Sequence, residues 1–442
     1  MFNSNSENPM NHIKTAIFAT ISTLVLAGCQ SQAENGEAVT GDPQMVKVIH
    51  SSEATVDIEK NWPQWLGPNR NGVVSGATVR TNWAEKEPKI VWKIELGSGF
   101  SGISIVDNKA FTMASDGDNE FAVCLDARTG KEIWRYNTGQ HFSDWQGGSG
   151  PRSTPSVDNG IAYYISSHGS VFALNANSGK LVWQNDLRKN FGAKVPQWGF
   201  SGSPLVDGNL VYVETGGNTG KALVAFHKTD GKVVWTSQSD NIGYSSPIIV
   251  TAVGVRQLIF FTGSHVMSVS PETGELFWKT PWETSYDVNA ATPVFIAPNR
   301  LFISSEYGVG AAVFEMTANA GKISVQQIWK NREMKNKMAT SIVHKGYVYG
   351  IDGSILKCID AATGAEMWKA RGYGQGSLIL VGENLVLLGA LGNVGLVEAN
   401  PQQFNELGNM EVLAGRSWTV PTFVDGYLFV RNLEEAACID LN

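Results

Sequence analysis

One pattern recurs along this chain and constrains its fold more than any other feature. Its clearest copies are Cys124-Leu125-Asp126-Ala127-Arg128-Thr129-Gly130-Lys131-Glu132-Ile133-Trp134 and Cys358-Ile359-Asp360-Ala361-Ala362-Thr363-Gly364-Ala365-Glu366-Met367-Trp368. Further copies turn at Ser178-Gly179, Asp230-Gly231 and Thr273-Gly274 and end at Trp183, Trp235 and Trp278. A degenerate copy runs through Gly321-Lys322 to Trp329, and the stretch Glu398 to Gly408 has lost both the turn signature and the Trp. Apolar residues alternate with a period of two on either side of each turn, which is the signature of paired strands. Glycine supplies the positive φ of a tight hairpin. The Trp packs its flat face between neighbouring sheets.

Two more strands precede each hairpin, as in Ser153-Thr154-Pro155-Ser156-Val157 followed by Ile161-Ala162-Tyr163-Tyr164-Ile165. Each unit is therefore four antiparallel strands. The first strands open at Phe100-Ser101-Gly102, Arg152-Ser153-Thr154-Pro155, Ser201-Gly202-Ser203-Pro204, Ser245-Ser246-Pro247, Ala291-Thr292-Pro293, Ala339-Thr340-Ser341, Gln375-Gly376-Ser377 and Thr419-Val420-Pro421, which makes eight units. Successive Trp residues lie 39 to 52 positions apart, the period of a propeller blade. The last unit stops at Cys438-Ile439-Asp440-Leu441-Asn442, before any Trp strand, while Lys89-Ile90-Val91-Trp92-Lys93 is a Trp strand with no partner before it. The reading is all-β: an eight-bladed β-propeller of four-stranded antiparallel blades, closed by an N-terminal strand joining the C-terminal blade. Closure of that kind removes the exposed edges an open array would need to cap. The low charged fraction of 17% and the 47 glycines and 14 tryptophans suit many short strands and turns.

Cys124, Cys358 and Cys438 share one register position with Ala173, Ala225 and Ser268, and read as small core residues. No cysteines are adjacent or spaced as CxxC, so neither a zinc site nor a redox dithiol is indicated. The net charge is -7 with no basic run, which argues against nucleic acid as a partner.

The N-terminal part reads as an address. Thr15 to Ala27 is an apolar run after Lys14, too short to span a bilayer comfortably, and it leads into Leu26-Ala27-Gly28-Cys29. This gives a signal peptide over 1–29, with Cys29 as the site of lipidation. Met1–Pro9 adds nothing a signal needs, so Met10 is an alternative start. Residues 30–60 are polar and acidic and read as a flexible tether. The folded part then spans 61–442.

The blade signature resembles the pyrroloquinoline-quinone (PQQ) repeat over residues 90–442. Trp62-Pro63-Gln64-Trp65-Leu66-Gly67-Pro68-Asn69-Arg70-Asn71-Gly72 is similar to the N-terminal motif of PQQ-like propeller proteins. Together with the lipobox, the resemblance extends to BamB-like lipoproteins of the outer-membrane β-barrel assembly machinery. Gln30 after the cysteine implies, on that resemblance, an outer-membrane lipoprotein facing the periplasm, and a monomeric, non-catalytic scaffold for an envelope protein. The alternatives are a PQQ-dependent oxidoreductase of the alcohol or sugar dehydrogenase type, or a carbohydrate- or ligand-binding propeller. The dehydrogenase resemblance would imply PQQ and Ca²⁺, but those enzymes roof the quinone with adjacent cysteines and build its pocket from insertions that this chain lacks. The expectation is no cofactor and no metal.

Other chemistry is weakly signalled. Asp116-Gly117-Asp118-Asn119-Glu120 offers oxygen ligands for Ca²⁺, but reads first as a hairpin turn. Gly199-Phe200-Ser201-Gly202-Ser203 lacks the last glycine of a nucleophile elbow and precedes a strand. His168 and His265 read as turn residues. A binding face is expected where the connections between blades are long, at Asn137–Pro151 and Asn185–Phe200. These carry His141, Asp144, Trp145, Gln146, Arg188, Lys194, Gln197 and Trp198. Shorter loops of the same mouth add Tyr244, Tyr286, Asp287, Asn289, Arg332, Lys337, Arg371, Tyr373, Gln375, Arg416 and Trp418. Aromatics with Arg suit a protein hot spot or a sugar or peptide groove. The structural alternative is that the Trp residues plug the channel and the Arg residues satisfy main-chain carbonyls.

Overall fold

The computed structural model describes residues 38–39, 45–52 and 59–442. The apolar run, Cys29 and most of the segment read as a tether lie outside the described residues. Eight antiparallel sheets follow one another along the chain. Blade one consists of Ser104–Val106, Lys109–Ser115, Asn119–Asp126 and Glu132–Gln140. Blades two to seven repeat this order, with inner strands opening at Ser156, Leu205, Ile248, Val294, Ile342 and Ser377. Blade eight takes Thr422–Val424, Tyr427–Arg431 and Glu435–Asp440 from the end of the chain and Lys89–Glu95 from near its start. Trp92 sits opposite Cys438, as the sequence predicts for the closing blade.

The repeat motif proves to be an interlock between blades. Trp92 is fully buried and its indole N–H donates to the Ala127 carbonyl, in the turn of the next blade, at 2.9 Å. Gly130 of that turn has φ +70, and a Cβ there would come within 2.9 Å of the Trp92 ring. One glycine therefore serves the hairpin and the close approach together. The same indole-to-turn hydrogen bond recurs from Trp134, Trp183, Trp235, Trp329 and Trp368 to the following blade. The acidic residue of the motif shapes the turn: Asp126 Oδ1 accepts from the Arg128 and Thr129 amides. Opposite the Trp across the sheet stands a small residue, as in Cys124 facing Trp134, Cys358 facing Trp368 and Ala173 facing Trp183. The three cysteines are buried there, and burial pushes the Cys358 thiol up to about 12. In blade seven, which lacks the Trp, a Cβ on Gly408 would meet the buried ring of Trp83, so the segment before the first blade fills the gap.

The seam where the two ends of the chain meet has its own clasp. Arg431 in blade eight is buried and donates to the carbonyls of Gly99, Ser101 and Met113 in blade one.

Two expectations need correction. The segment 30–60 is not tether throughout. Ala38–Val39 pairs with the outer strand of blade one, and Lys47–Ser51 pairs with Lys89–Glu95 of blade eight. Every residue of Lys47–Ser51 is exposed. A blade's outer edge offers unpaired main-chain groups that any sequence can satisfy without burying side chains, so composition could not reveal this pairing. The connection at Asn137–Pro151 is also shorter than expected, because the outer strand of blade one continues to Gln140. The connection at Asn185–Phe200 contains a five-residue helix, Leu187–Phe191, capped by Asp186 and Gly192.

Candidate functional site

The inner strands of the blades leave one edge facing the central channel, and most blades find partners there in residues 59–74. The Asp425 carboxylate of blade eight accepts from the Glu59 and Lys60 amides. Trp62 exchanges both main-chain hydrogen bonds with Ile105 of blade one, and the Pro63 carbonyl accepts from Val157 of blade two. Trp65 Nε1 donates to Thr292 Oγ1 at the start of blade five, at 2.9 Å. Val73–Val74 runs parallel to Leu380–Val381 of blade seven. Arg70 completes the set. It is buried, and its guanidinium donates to the Ser203 and Pro204 carbonyls of blade three, the Pro247 carbonyl of blade four and Gln64 Oε1. These acceptors are all neutral; burial pulls its ionisation down to about 9, so it stays cationic at neutral pH. The Trp62–Gly72 stretch is thus a plug stitched to the inner ring.

Above the plug lies a basin of about 320 Å³. Trp65 of the plug contributes to its lining. Its walls come from the loops that enter each inner strand: Phe100, Trp198, Tyr244 and Trp418, with Tyr307 from a neighbouring turn. Phe100 and Trp418 stack with ring centroids 5.4 Å apart, and Trp198 meets Tyr244 edge-on at 5.7 Å. Burial pushes the Tyr244 phenol up to about 12, so it is a neutral hydroxyl at physiological pH. Ser201, Ser246 and Thr419 add hydroxyl groups. Two cations reach the lining. Arg152 is spoken for: it pairs with Asp144 at 2.7 Å and donates to the Gly148 carbonyl. Lys337 has one carboxylate nearby, Glu306, at 3.8 Å. Burial of Asp144 opposes its ionisation, but the Arg152 hydrogen bond and the Gln146 and Gly147 amides outweigh it and hold the carboxyl below its ordinary range.

The structure brings together five of the residues singled out in the sequence: Gln146, Trp198, Tyr244, Lys337 and Trp418 line the basin. Arg416 stands at its rim, 4.7 Å over the Trp418 ring, and donates to the Gln146 carbonyl. Trp145 is 91% exposed, next to Asp144, which builds the loop rather than the lining. Tyr286 is exposed and edge-on to Trp198. Other candidates play structural parts or lie away from the lining. Asn289 is fully buried and donates to the Thr262, Gly263 and Trp282 carbonyls. Tyr373 is buried and donates to Glu406. Arg188 pairs with Asp186 at the helix start. Lys194, Gln197, Arg332 and Arg371 lie outside the lining. Asp287 accepts from Asn241, and His141 Nδ1 lies 2.6 Å from Ser115 Oγ.

Sequence reasoning missed Trp65, Phe100, Arg152 and Tyr307. The dense run of Trp, Gly, Pro, Asn and Arg at 62–72 was the available signal for the first of these. The weaker motifs resolve as turns and pairs. Asp116 Oδ1 accepts from the Asp118 and Asn119 amides in a hairpin turn. His168 lies in a turn against Phe142. His265 opens a strand instead of sitting in the turn, and its Nδ1 is 2.8 Å from Asp240. Among the described residues no group of three or more His, Cys, Asp or Glu side chains is arranged to hold a metal ion.

A family described as outer membrane protein assembly factor BamB matches residues 118–370, more than half of the sequence. The chain belongs to the BamB family of PQQ-repeat propellers. Within the wider superfamily it is 25% identical over 316 residues to the outer membrane protein assembly factor BamB of Burkholderia pseudomallei, covering 67% of this chain and 74% of that one. It is 30% identical over 159 residues to the quinoprotein alcohol dehydrogenase PedH of Pseudomonas putida, covering 34% of this chain. That match spans only 25% of the dehydrogenase. The crystal structure of BamB from Moraxella catarrhalis superposes with a TM-score of 0.57 at 16% identity, covering 80% of this chain and 99% of that one. At that identity the likeness concerns the fold.

Proposed function

We propose that this BamB-family chain is an outer-membrane lipoprotein, anchored through Cys29, whose ring is a non-catalytic scaffold that holds an envelope protein partner against the basin face. The observation that carries the reading is the arrangement of the two longest inter-blade connections. Both fold onto one face, where they wall an aromatic basin and raise Trp145, 91% exposed, beside it. Exposed Trp and Arg in one cluster are the side chains enriched at protein hot spots. The relatives named as outer membrane assembly factors support the envelope setting. A photo-reactive amino acid in place of Trp145 tests the face in living cells. The expected result is a discrete adduct with one envelope protein, absent when the probe replaces exposed Lys131 in a turn on the opposite face. Equal labelling from both positions would refute the assignment. Radiolabelled lipid incorporation that disappears in Cys29→Ser tests the anchor.

The match to PedH motivates a second reading, a quinone-dependent oxidoreductase. Such a site would need Ca²⁺ beside the quinone, and Ca²⁺ takes carboxylate and carbonyl oxygens. The basin lining includes no Asp or Glu, so the residues present do not fit that group. Titration with PQQ and Ca²⁺, followed by absorbance and dye-linked turnover, separates the readings: stoichiometric binding with turnover would replace the scaffold.

A further inference from the structure

Resting on the scaffold reading, we propose that the basin receives an aromatic side chain of the partner, and that a carboxylate next to that side chain is held by the rim cation Arg416. The argument begins with what lines the cavity. Trp65 on the plug, Phe100, Trp198 and Trp418 present ring surface from several directions, and Trp65 is fixed by its hydrogen bond to Thr292. Aromatic rings favour other rings in offset or edge-on packing beyond the gain from area alone. A cavity of about 320 Å³ lies at the small end of ligand sites and is sized for one side chain rather than for a folded surface.

A sugar would also stack on these rings. It would need planar acceptors and donors for its hydroxyls, and the lining offers a single amide, Gln146, and no carboxylate. The polar groups favour a ring with a negative charge at its side. Although the chain carries a net charge of -7, the rim holds one cation, Arg416, that pairs with no carboxylate among the described residues. Arg416 is exposed and touches the Gln146 carbonyl and the face of Trp418, while Lys337 forms a loose pair with Glu306 at 3.8 Å. Of the carboxylates beside the basin, Asp144 is neutralised by Arg152, Glu306 lies by Lys337 and Asp287 accepts from Asn241. Arg416 is therefore the rim cation left to receive a carboxylate.

The experiment uses the full lipidated chain in detergent, with N-acetyl-L-tryptophan, its neutral amide and cellobiose as probes, read by saturation-transfer NMR and calorimetry. N-acetyl-L-tryptophan is expected to bind saturably, and the amide about 3-fold more weakly, the size of a rim-exposed ion pair. Trp418→Ala should weaken both probes by about 5–10-fold, the value of one aromatic pair. Arg416→Gln should narrow the difference between acid and amide. Equal binding of acid and amide in the wild type, binding of cellobiose in preference to both, or no binding of any probe would each overturn the inference. Labelling of a partner from position 145 would survive any of those results, so failure here is distinguishable from failure of the scaffold reading.

Discussion

Replacing Arg70 with Met asks whether the plug is held by its buried guanidinium. Met keeps the length and apolar stem of the side chain and removes all four donated hydrogen bonds. The Ser203 and Pro247 carbonyls lie at the starts of inner strands, on the channel side, where no neighbouring strand can replace the donor, whereas the Pro204 carbonyl also accepts from Ser156 Oγ of blade two. Leaving a buried carbonyl unpaired costs about 1–3 kcal/mol, so these two cost on the order of 4 kcal/mol. Part of this returns. The guanidinium no longer has to be buried, and a hollow of about 410 Å³ on the plug's other side admits water to the orphaned groups. The net loss is about 3 kcal/mol. It should be local, because ring closure runs through Trp92 and Cys438 and not through the plug. Hydrogen exchange of the Gly67, Arg70 and Gly72 amides, each hydrogen-bonded within the plug, is the direct measurement. A loss of about 3 kcal/mol accelerates exchange by about a hundredfold, while amides of the blade cores such as Leu125 and Val397 keep their rates. Arg70→Lys should behave like Met, since one ammonium cannot reach carbonyls of two blades in a forked geometry. Plug amides that exchange as slowly in both variants as in the wild type would refute the claim that Arg70 holds the segment.

Other consequences follow from the same structure. Trp92→Ala removes a fully buried indole at the closing blade and should lower unfolding stability by about 3–5 kcal/mol in denaturant titration. Gly130→Ala places a Cβ within 2.9 Å of that indole at φ +70 and should cost more than the roughly 1 kcal/mol of an ordinary turn glycine; an unchanged midpoint would count against the interlock. Glu214 is buried, its carboxyl pushed well above 4.5 by desolvation, which the Gly243 amide only partly offsets. Its folded-state value is the raised one, so the stability linked to the protonated form is present below pH 4.5 and lost as pH rises through the folded value. Glu214→Gln should therefore gain on the wild type with rising pH, measured as the difference between unfolding free energies from about pH 4 to 8. Cys124, Cys358 and Cys438, buried with raised thiol ionisation, should take up a thiol reagent only at the rate of unfolding, mapped by mass spectrometry.

Much of the architecture could be read from local pattern because each blade repeats one short-range rule. A turn glycine, an acidic residue that caps the turn and a Trp at fixed spacing mark the outer hairpin of a blade wherever they occur, and Trp92 without a preceding strand could only belong to the unfinished blade ending at Cys438. The same locality made the cysteines legible as the small residues that face a Trp. Residues 47–51 escaped notice because strand addition at an exposed edge uses the main chain and leaves no side-chain pattern.

The candidate site was legible only in its parts. Sequence singled out Gln146, Trp198, Tyr244, Lys337 and Trp418 as members of one mouth, since loops between blades share a face by construction. It could not distinguish them from Asn289 and Tyr373, which sit in equivalent loops but turn inward to satisfy carbonyls and Glu406. Nor could it show that Trp62–Gly72 crosses the channel, pairs with inner strands from blades on opposite sides of the ring and brings Trp65 into the lining of the basin. Those contacts join residues far apart in the chain, as Trp65 and Thr292 are. They depend on the diameter of the closed channel and on which inner-strand carbonyls lack a partner, and both are set only once all eight blades are in place.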